Sequence, residues 1–444
     1  MISPQDVRPT LQKHILADGF EIVLDLKKSK GAYLHDSVTG KKYLDFFTFF
    51  ASNPLGMNHD RLAEDPDFVQ KLGQVAINKP SNSDVYTEEM AHFVDTFSRV
   101  GIPDYMPYTF FVSGGALAVE NALKVAFDWK VQKNFEKGYR HEKGHKVLHL
   151  DKAFHGRSGY TLSLTNTDPK KVKYFPKFDW PRIHNPTVSH PLDETSLEAV
   201  KKEEQKSLAQ ARQYFEIYKD DIACILLEPI QGEGGDNHFR TEYHRELRNL
   251  ADEYDALLIY DEVQTGVGLT GKFWCHEHYV KPDILAFGKK AQVCGILASD
   301  RVDDIDTNCF HVSSRINSTW GGNLVDMVRF DRILEVIEED KLVDHAAETG
   351  EYLQQKISDW ADSSEHLSNP RGKGLFCAID LPDTHSRDAV LKEALKNGLM
   401  ILGCGTKTIR FRPPLTIQKD QLDEGMSILQ KSFTTSLAKC PVAE

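Results

Sequence analysis

Two stretches decide the fold: Ala256-Leu257-Leu258-Ile259-Tyr260-Asp261-Glu262 and, further along, Ile284-Leu285-Ala286-Phe287-Gly288-Lys289. Each is a short, unbroken apolar run that ends in charge. Alternating patterns suit strands wet on one face, whereas continuous runs suit strands buried on both faces of a mostly parallel sheet. Asp261, at the end of such a strand, needs a cationic partner or hydrogen bonds. Lys289 falls at the mouth of the same sheet, where desolvation lowers the pKa of an amine and makes it a usable nucleophile.

Working outward, residues 109–112, 147–150 and 222–227 repeat the apolar-run pattern. After Ser113-Gly114-Gly115 a helix is predicted with Ala118, Ala122, Val125 and Trp129 on one face. Strands alternating with helices indicate an α/β domain. Residues 197–218, with the run Lys201-Lys202-Glu203-Glu204, read as a solvated helix. Before this domain lie hairpin signals. Residues 21–26 alternate, and Asp36-Ser37-Val38-Thr39-Gly40 reads as a turn between 32–34 and 43–44. The run Phe46-Phe47-Thr48-Phe49-Phe50 is too aromatic to leave wet and reads as a wall of the core, an interface or a pocket. Beyond the domain come a long helix over 324–339, a strand over 375–380, a helix over 387–396 stopped by Gly398, and a strand over 408–411. The expected division is 1–70 and 326–444 as two segments of a small α+β domain, flanking a large domain over 71–325.

The composition narrows the function. With 54 Lys and Arg against 66 Asp and Glu, the net charge of −12 argues against nucleic acid as a partner. No apolar run approaches the roughly 18 residues of a membrane span. Asp6, Arg8, Lys13, Asp18, Glu21 and Asp25 break up the first thirty residues, so no signal or transit segment is expected. Seven cysteines without a CxxC pair suit reduced thiols and a cytoplasmic location.

Two motifs point elsewhere. His141-Glu142-Lys143-Gly144-His145 matches the HExxH of zinc hydrolases, which requires both histidines on one face of a helix. Gly138, Gly144 and the strand from Val147 leave a helix no room, so a polar loop without metal is expected. Gly266-Val267-Gly268-Leu269-Thr270-Gly271 matches GxGxxG, but a dinucleotide fold puts its first glycine directly at the strand end. Here Asp261 and Glu262 stand in that place and would repel a pyrophosphate.

Four features converge on one cofactor. Ser113-Gly114-Gly115-Ala116 joins a strand to a helix, where free N–H groups and the helix dipole can hold a phosphate. Asp261 can face a protonated ring nitrogen, and Lys289 can form a Schiff base. Arg410, on a strand of the other domain, can clamp a carboxylate bidentately. Together they describe pyridoxal 5′-phosphate.

The string Leu258-Ile259-Tyr260-Asp261-Glu262-Val263-Gln264-Thr265-Gly266, followed by Pro282-Asp283-Ile284-Leu285-Ala286-Phe287-Gly288-Lys289, resembles the class III (ω-amino) aminotransferases of fold-type I, over nearly the whole chain. Ala153-Phe154-His155-Gly156-Arg157-Ser158-Gly159-Tyr160, residues 175–181, Asn317-Ser318-Thr319-Trp320-Gly321-Gly322-Asn323 and Arg410-Phe411-Arg412-Pro413-Pro414 are most similar to members acting on the terminal amine of L-lysine. The resemblance implies Lys289 as the lysine that carries the cofactor, Asp261 at the ring nitrogen, Gln264 at the ring hydroxyl and Phe154 on the ring face. It further implies Gly115 and Ala116 at the phosphate, joined by Thr319 of a neighbouring subunit, and hence a homodimer. Arg157 would hold the far carboxylate of either substrate, Asn317 is a substrate contact, and Glu233 would pair with Arg410 or release it. The implied reaction is ping-pong transfer from L-lysine to 2-oxoglutarate, giving L-glutamate. A 4-aminobutyrate or ornithine enzyme with the same apparatus is the alternative.

Overall fold

The computed structural model describes residues 2–439. Near its start, β1 (Tyr33–His35) and β2 (Lys42–Asp45) form the expected antiparallel hairpin, with Tyr33 opposite Leu44. Its turn is set by Asp36, whose carboxylate accepts the N–H groups of Val38 and Thr39 and the Thr39 hydroxyl. Residues 21–26, expected as a strand, form none; only Leu24 bridges to Asp36. The Asp25 carboxylate takes the N–H groups of Lys27 and Lys28, which turns the chain before a ladder can extend.

The large sheet comprises β3 (Tyr108–Val112), β4 (Lys146–Leu150), β5 (Arg182–Ile183), β6 (Ile222–Leu227), β7 (Leu257–Asp261), β8 (Ile284–Phe287) and β9 (Cys294–Ala298), in the order β3-β9-β8-β7-β6-β4-β5. Every neighbouring pair from β8 through β5 is parallel, and β9 runs against both β8 and β3. The continuous apolar runs are explained by burial on both faces. Leu257 and Ile259 pack with Ala118, Ala122 and Trp129 of the helix Gly115–Glu136, while Leu258 and Tyr260 pack with Leu247 and Leu250 of the helix Thr241–Glu253. β9 is not legible in the sequence, because its run is broken by Gly295. A Cβ there would meet the Phe110 carbonyl oxygen at 2.4 Å.

At the other end, β10 (Ser368–Lys373), β11 (Phe376–Asp380), β13 (Leu402–Cys404) and β14 (Thr408–Phe411) form an antiparallel sheet in the order β10-β11-β14-β13. β12 (Leu399–Met400) instead lies parallel to β2, so the two ends of the chain share a sheet. The helix Leu324–Glu339 forms as expected, and Gly398 adopts φ 95° two residues after the helix Thr384–Lys396. Six cysteines are free and buried; Cys440 lies outside the described residues.

Residues 141–145 are not helical. The 266–271 glycines serve packing rather than a phosphate. A Cβ at Gly266 would meet the Trp274 ring at 2.5 Å, and one at Gly271 would meet the Ala347 side chain at 2.9 Å. This loop is clamped by the β10–β11 turn, where Leu375 N–H donates to the Leu269 carbonyl and a Cβ on Gly374 would lie 2.4 Å from Thr270 carbon. Gly350, in the helix Leu342–Asp362, in turn leaves no space, since its Cβ would lie 2.1 Å from the Gly374 backbone. Alanine is the better helix former by about 1 kcal/mol, but overpacking costs about 1–3 kcal/mol and backbone cannot step aside cheaply. Gly350→Ala should therefore lower the thermal midpoint. Gly73→Ala, in the helix Pro66–Ile77 with open space around it, should raise it. A stabilised Gly350→Ala protein would refute the close approach.

Candidate active site

All the parallel strands end at one edge of the sheet, where ligands of open α/β sheets bind. β7 delivers Asp261 as its last residue, and β8 delivers Lys289 two residues past its end. β6 is followed directly by Glu228, β4 by the loop carrying Phe154, His155 and Gly156, and β3 by Gly115 and Ala116. These residues, with Glu233, Val263 and Gln264, line one cavity of about 270 Å³. Seven predicted site residues thus meet in it: Gly115, Ala116, Phe154, Glu233, Asp261, Gln264 and Lys289.

Asp261 is buried, and its Oδ2 lies 2.8 Å from His155 Nδ1, while Oδ1 accepts the Val263 N–H. Lys289 Nζ makes no hydrogen bond or ion pair among the described residues. Burial lowers its pKa, with the Asp261 and Glu228 charges acting the other way. Glu228 accepts the N–H groups of Phe154 and Gly232, both at 3.0 Å, and burial pushes its carboxyl up to about 7. Gln264 Oε1 accepts from Arg412, whose Nη2 lies 2.6 Å from Asp236.

The helix Gly115–Glu136 opens into this cavity without a side-chain cap or an acid in its first turn. A Cβ on Gly115 would lie 2.9 Å from the Val263 side chain, and one on Gly156 would lie 2.5 Å from Ala116 Cβ. The backbone can therefore approach an anion closely, and the uncapped N–H groups suit a phosphate. An uncommitted amine and a braced carboxylate lining the same cavity complete the set, and the buried His155 Nε2 has no hydrogen-bond partner among the described residues. The residues fit pyridoxal phosphate.

Arg410, on β14, is buried behind Glu233, with Nη1 3.0 Å from Glu233 Oε2. Arg157, Asn317 and Thr319 are not among the residues lining this cavity. Arg157 is exposed beside Gly156, and Asn317 and Thr319 are exposed on the loop preceding the helix Leu324–Glu339. That loop is held by Ser83, whose hydroxyl donates to the Ser318 carbonyl at 2.6 Å. His155 and Glu228 were not singled out from the sequence. Glu228 carries the signal that revealed Asp261, a carboxylate closing a buried apolar run.

Residues 16–433 match the aminotransferase class-III family. The L-lysine-epsilon aminotransferase of Mycobacterium tuberculosis is 52% identical over 97% of this chain and 96% of its own length. The solved lysine aminotransferase from M. tuberculosis in its internal aldimine form superposes with a TM-score of 0.96 at 51% identity, covering 98% of this chain and 100% of that one. The 4-aminobutyrate aminotransferase of Saccharomyces cerevisiae is more distant, 32% identical over 92% of this chain and 89% of its own. With the mostly parallel sheet and the cofactor-shaped cavity at its edge, these matches make the chain a member of the class III, pyridoxal-phosphate-dependent aminotransferases.

Proposed function

We propose that this aminotransferase moves the terminal amino group of L-lysine to 2-oxoglutarate, giving 2-aminoadipate 6-semialdehyde and L-glutamate. The observation that carries the reading is the Glu233–Arg410 ion pair at the cavity. Lysine presents a CH2–NH3+ end with no carboxylate beside the reacting carbon, whereas glutamate presents its α-amine next to one. A bare Arg410 against a methylene chain would be an unpaired buried charge. Paired with Glu233, it tolerates the lysine end; released, it can clamp the α-carboxylate of glutamate. The relatives named for lysine, at 52% identity, support the same choice over 4-aminobutyrate at 32%.

When bound, pyridoxal phosphate supplies the electron sink that lets the C–H bond beside the reacting amine break. Lys289 is the cofactor's attachment point and afterwards the general base and acid that moves a proton at the substrate carbon. Its lowered pKa suits that exchange. Asp261, oriented by His155, would hold the ring nitrogen's proton. Gln264 would meet the ring hydroxyl, Phe154 would lie against the ring, and Gly115 and Ala116 would hold the phosphate at the helix start. Arg157, exposed next to the cavity-lining Gly156, would grip the far carboxylate in both half-reactions, with Asn317 as a further substrate contact.

Thr319, exposed on its own subunit, completes the phosphate site of a neighbour, which makes the working unit a homodimer. We assign residues 1–70 and 326–444 to a small domain and 71–325 to the cofactor domain. No helix among the described residues is long and apolar enough to cross a membrane. The free, buried cysteines support a reducing, cytoplasmic setting.

Half-reactions with L-lysine, L-ornithine and 4-aminobutyrate, followed by loss of the visible absorption band, test the donor; preference for either of the latter two overturns the reading. Lys289→Ala should lose that band and more than about a thousand-fold in turnover. Glu233→Ala should slow the lysine half-reaction about 10-fold more than the glutamate half, and equal losses would remove the switch. Mixing subunits of Lys289→Ala and Thr319→Ala proteins should restore activity above the sum of the two variants, because each hybrid dimer regains one intact site. No recovery would remove the shared site.

A further inference from the structure

Glu233 has two cationic partners. Its Oε2 faces Arg410, while its Oε1 accepts a hydrogen bond from Lys171 Nζ at 2.5 Å. Among the described residues these are its only ion pairs. Arg410 is buried, whereas the side chains of Lys171 and Glu233 keep 24% and 28% of their surface exposed, so Lys171 lies on the outward side of the carboxylate. The two contacts also differ in quality. Lys171 makes an aligned hydrogen bond, but Arg410 Nη1, at 3.0 Å, is not aligned for one and has no other hydrogen-bond partner among the described residues.

The backbone around Glu233 cannot slide. Its carbonyl accepts the Gly405 N–H at 3.0 Å, and Gly232 N–H is held by Glu228. A Cβ on Gly232 would lie 2.5 Å from Gln264 Oε1, and one on Gly234 would lie 2.0 Å from the Lys152 carbonyl oxygen. Movement is left to the side chain. Inward, it would meet the carboxylates of Glu228 and Asp261, which line the same cavity. Outward, it keeps Lys171. Lys171 closes the short turn Pro169–Lys171, whose backbone Asp168 caps, and its ammonium lies 5.3 Å from the centroid of the Phe154 ring.

We propose that Lys171 is a positioning residue that receives Glu233 when the carboxylate leaves Arg410, and so sets how readily the cavity accepts a substrate with an α-carboxylate. This rests on the Glu233 switch proposed above. With Arg410 taken by substrate, Lys171 alone pairs the Glu233 charge; with Arg410 free, Glu233 has both. Removing Lys171 therefore strands a partly buried carboxylate in one state only.

The test compares Lys171→Met and Lys171→Arg with the parent enzyme in separate half-reactions. Lys171→Met should raise KM for 2-oxoglutarate and L-glutamate on the order of 10-fold, at least several times its effect on L-lysine, and Lys171→Arg should recover most of the loss. Calorimetric binding of glutarate, an unreactive dicarboxylate, should weaken in Lys171→Met. Equal losses in both halves, unchanged glutarate affinity or failure of Lys171→Arg to recover the loss would overturn the proposal. If the parent enzyme does not accept L-lysine, or Glu233→Ala shows no half-reaction bias, the underlying reading fails. If both hold and Lys171→Met is symmetric, Lys171 alone is at fault.

Discussion

The central sheet is buried on both faces, and everything polar that it presents must emerge at the ends of its strands. Side chains at Leu257, Leu258, Ile259 and Tyr260 have no exposure to offer. Asp261 is the first position on β7 from which a charge can face a cavity, and Glu228 is its equivalent after β6. Parallel strands bring such positions to one edge together, so five separate sequence segments meet around 270 Å³. The same constraint explains why the site is polar and yet sits on apolar runs.

Charges gathered in this way need partners, and the two sheets supply them to each other. Two arginines of the C-terminal sheet, and a third just past the end of β14, hold the loop after β6. Arg371 donates to the carbonyls of Gly235 and Asp236, Arg412 pairs with the Asp236 carboxylate, and Arg410 faces Glu233. Arg371 is in turn paired with Asp380 at 2.9 Å. Removing one member of a buried pair costs more than the pair gains, so the network fixes the loop's position more than it adds stability. Glu233 is the exception, since each of its carboxylate oxygens faces a different cation. The burial that works against its charge is outweighed by Arg410 and Lys171, which hold its carboxyl below the usual range.

The sequence was legible where one local rule decided the outcome. Apolar runs marked β3, β4, β6, β7 and β8, helical spacing marked the helix after Gly114, and charge at strand ends marked Asp261 and Lys289. It failed where a distant contact decided. β9 contains a glycine because the Phe110 carbonyl approaches it, and residues 21–26 alternate but find no ladder. His155 reads as one more loop residue until the fold brings it to Asp261, and Lys171 sits within a basic stretch whose other lysines face solvent. Lys290 directly follows Lys289 in the chain. In the fold it is buried away from the cavity, with Nζ donating to the carbonyls of Gln264 and Ala51.

That last contact leads to the longest run of left-handed non-glycine residues among the described ones. Thr48, Phe49, Phe50 and Ala51 all have φ between 40° and 62°, a left-handed turn without a glycine. Each such residue costs about 1–2 kcal/mol, and such strain persists only where surroundings over-determine it. Here the Asp45 carboxylate accepts the N–H groups of Phe47 and Thr48, the Thr48 hydroxyl donates to the Arg412 carbonyl, Lys290 holds Ala51, and Gln292 holds the Ser52 carbonyl. The turn sends Phe46 and Phe47 inward but leaves Phe50 half exposed, its ring 5.7 Å from the Arg410 guanidinium. An aromatic run thus divides between core and site. The residues that anchor the turn come from the strand-end loops and from β14's neighbourhood, so the strained wall, the arginine and the reactive lysine hold their relative positions as one unit.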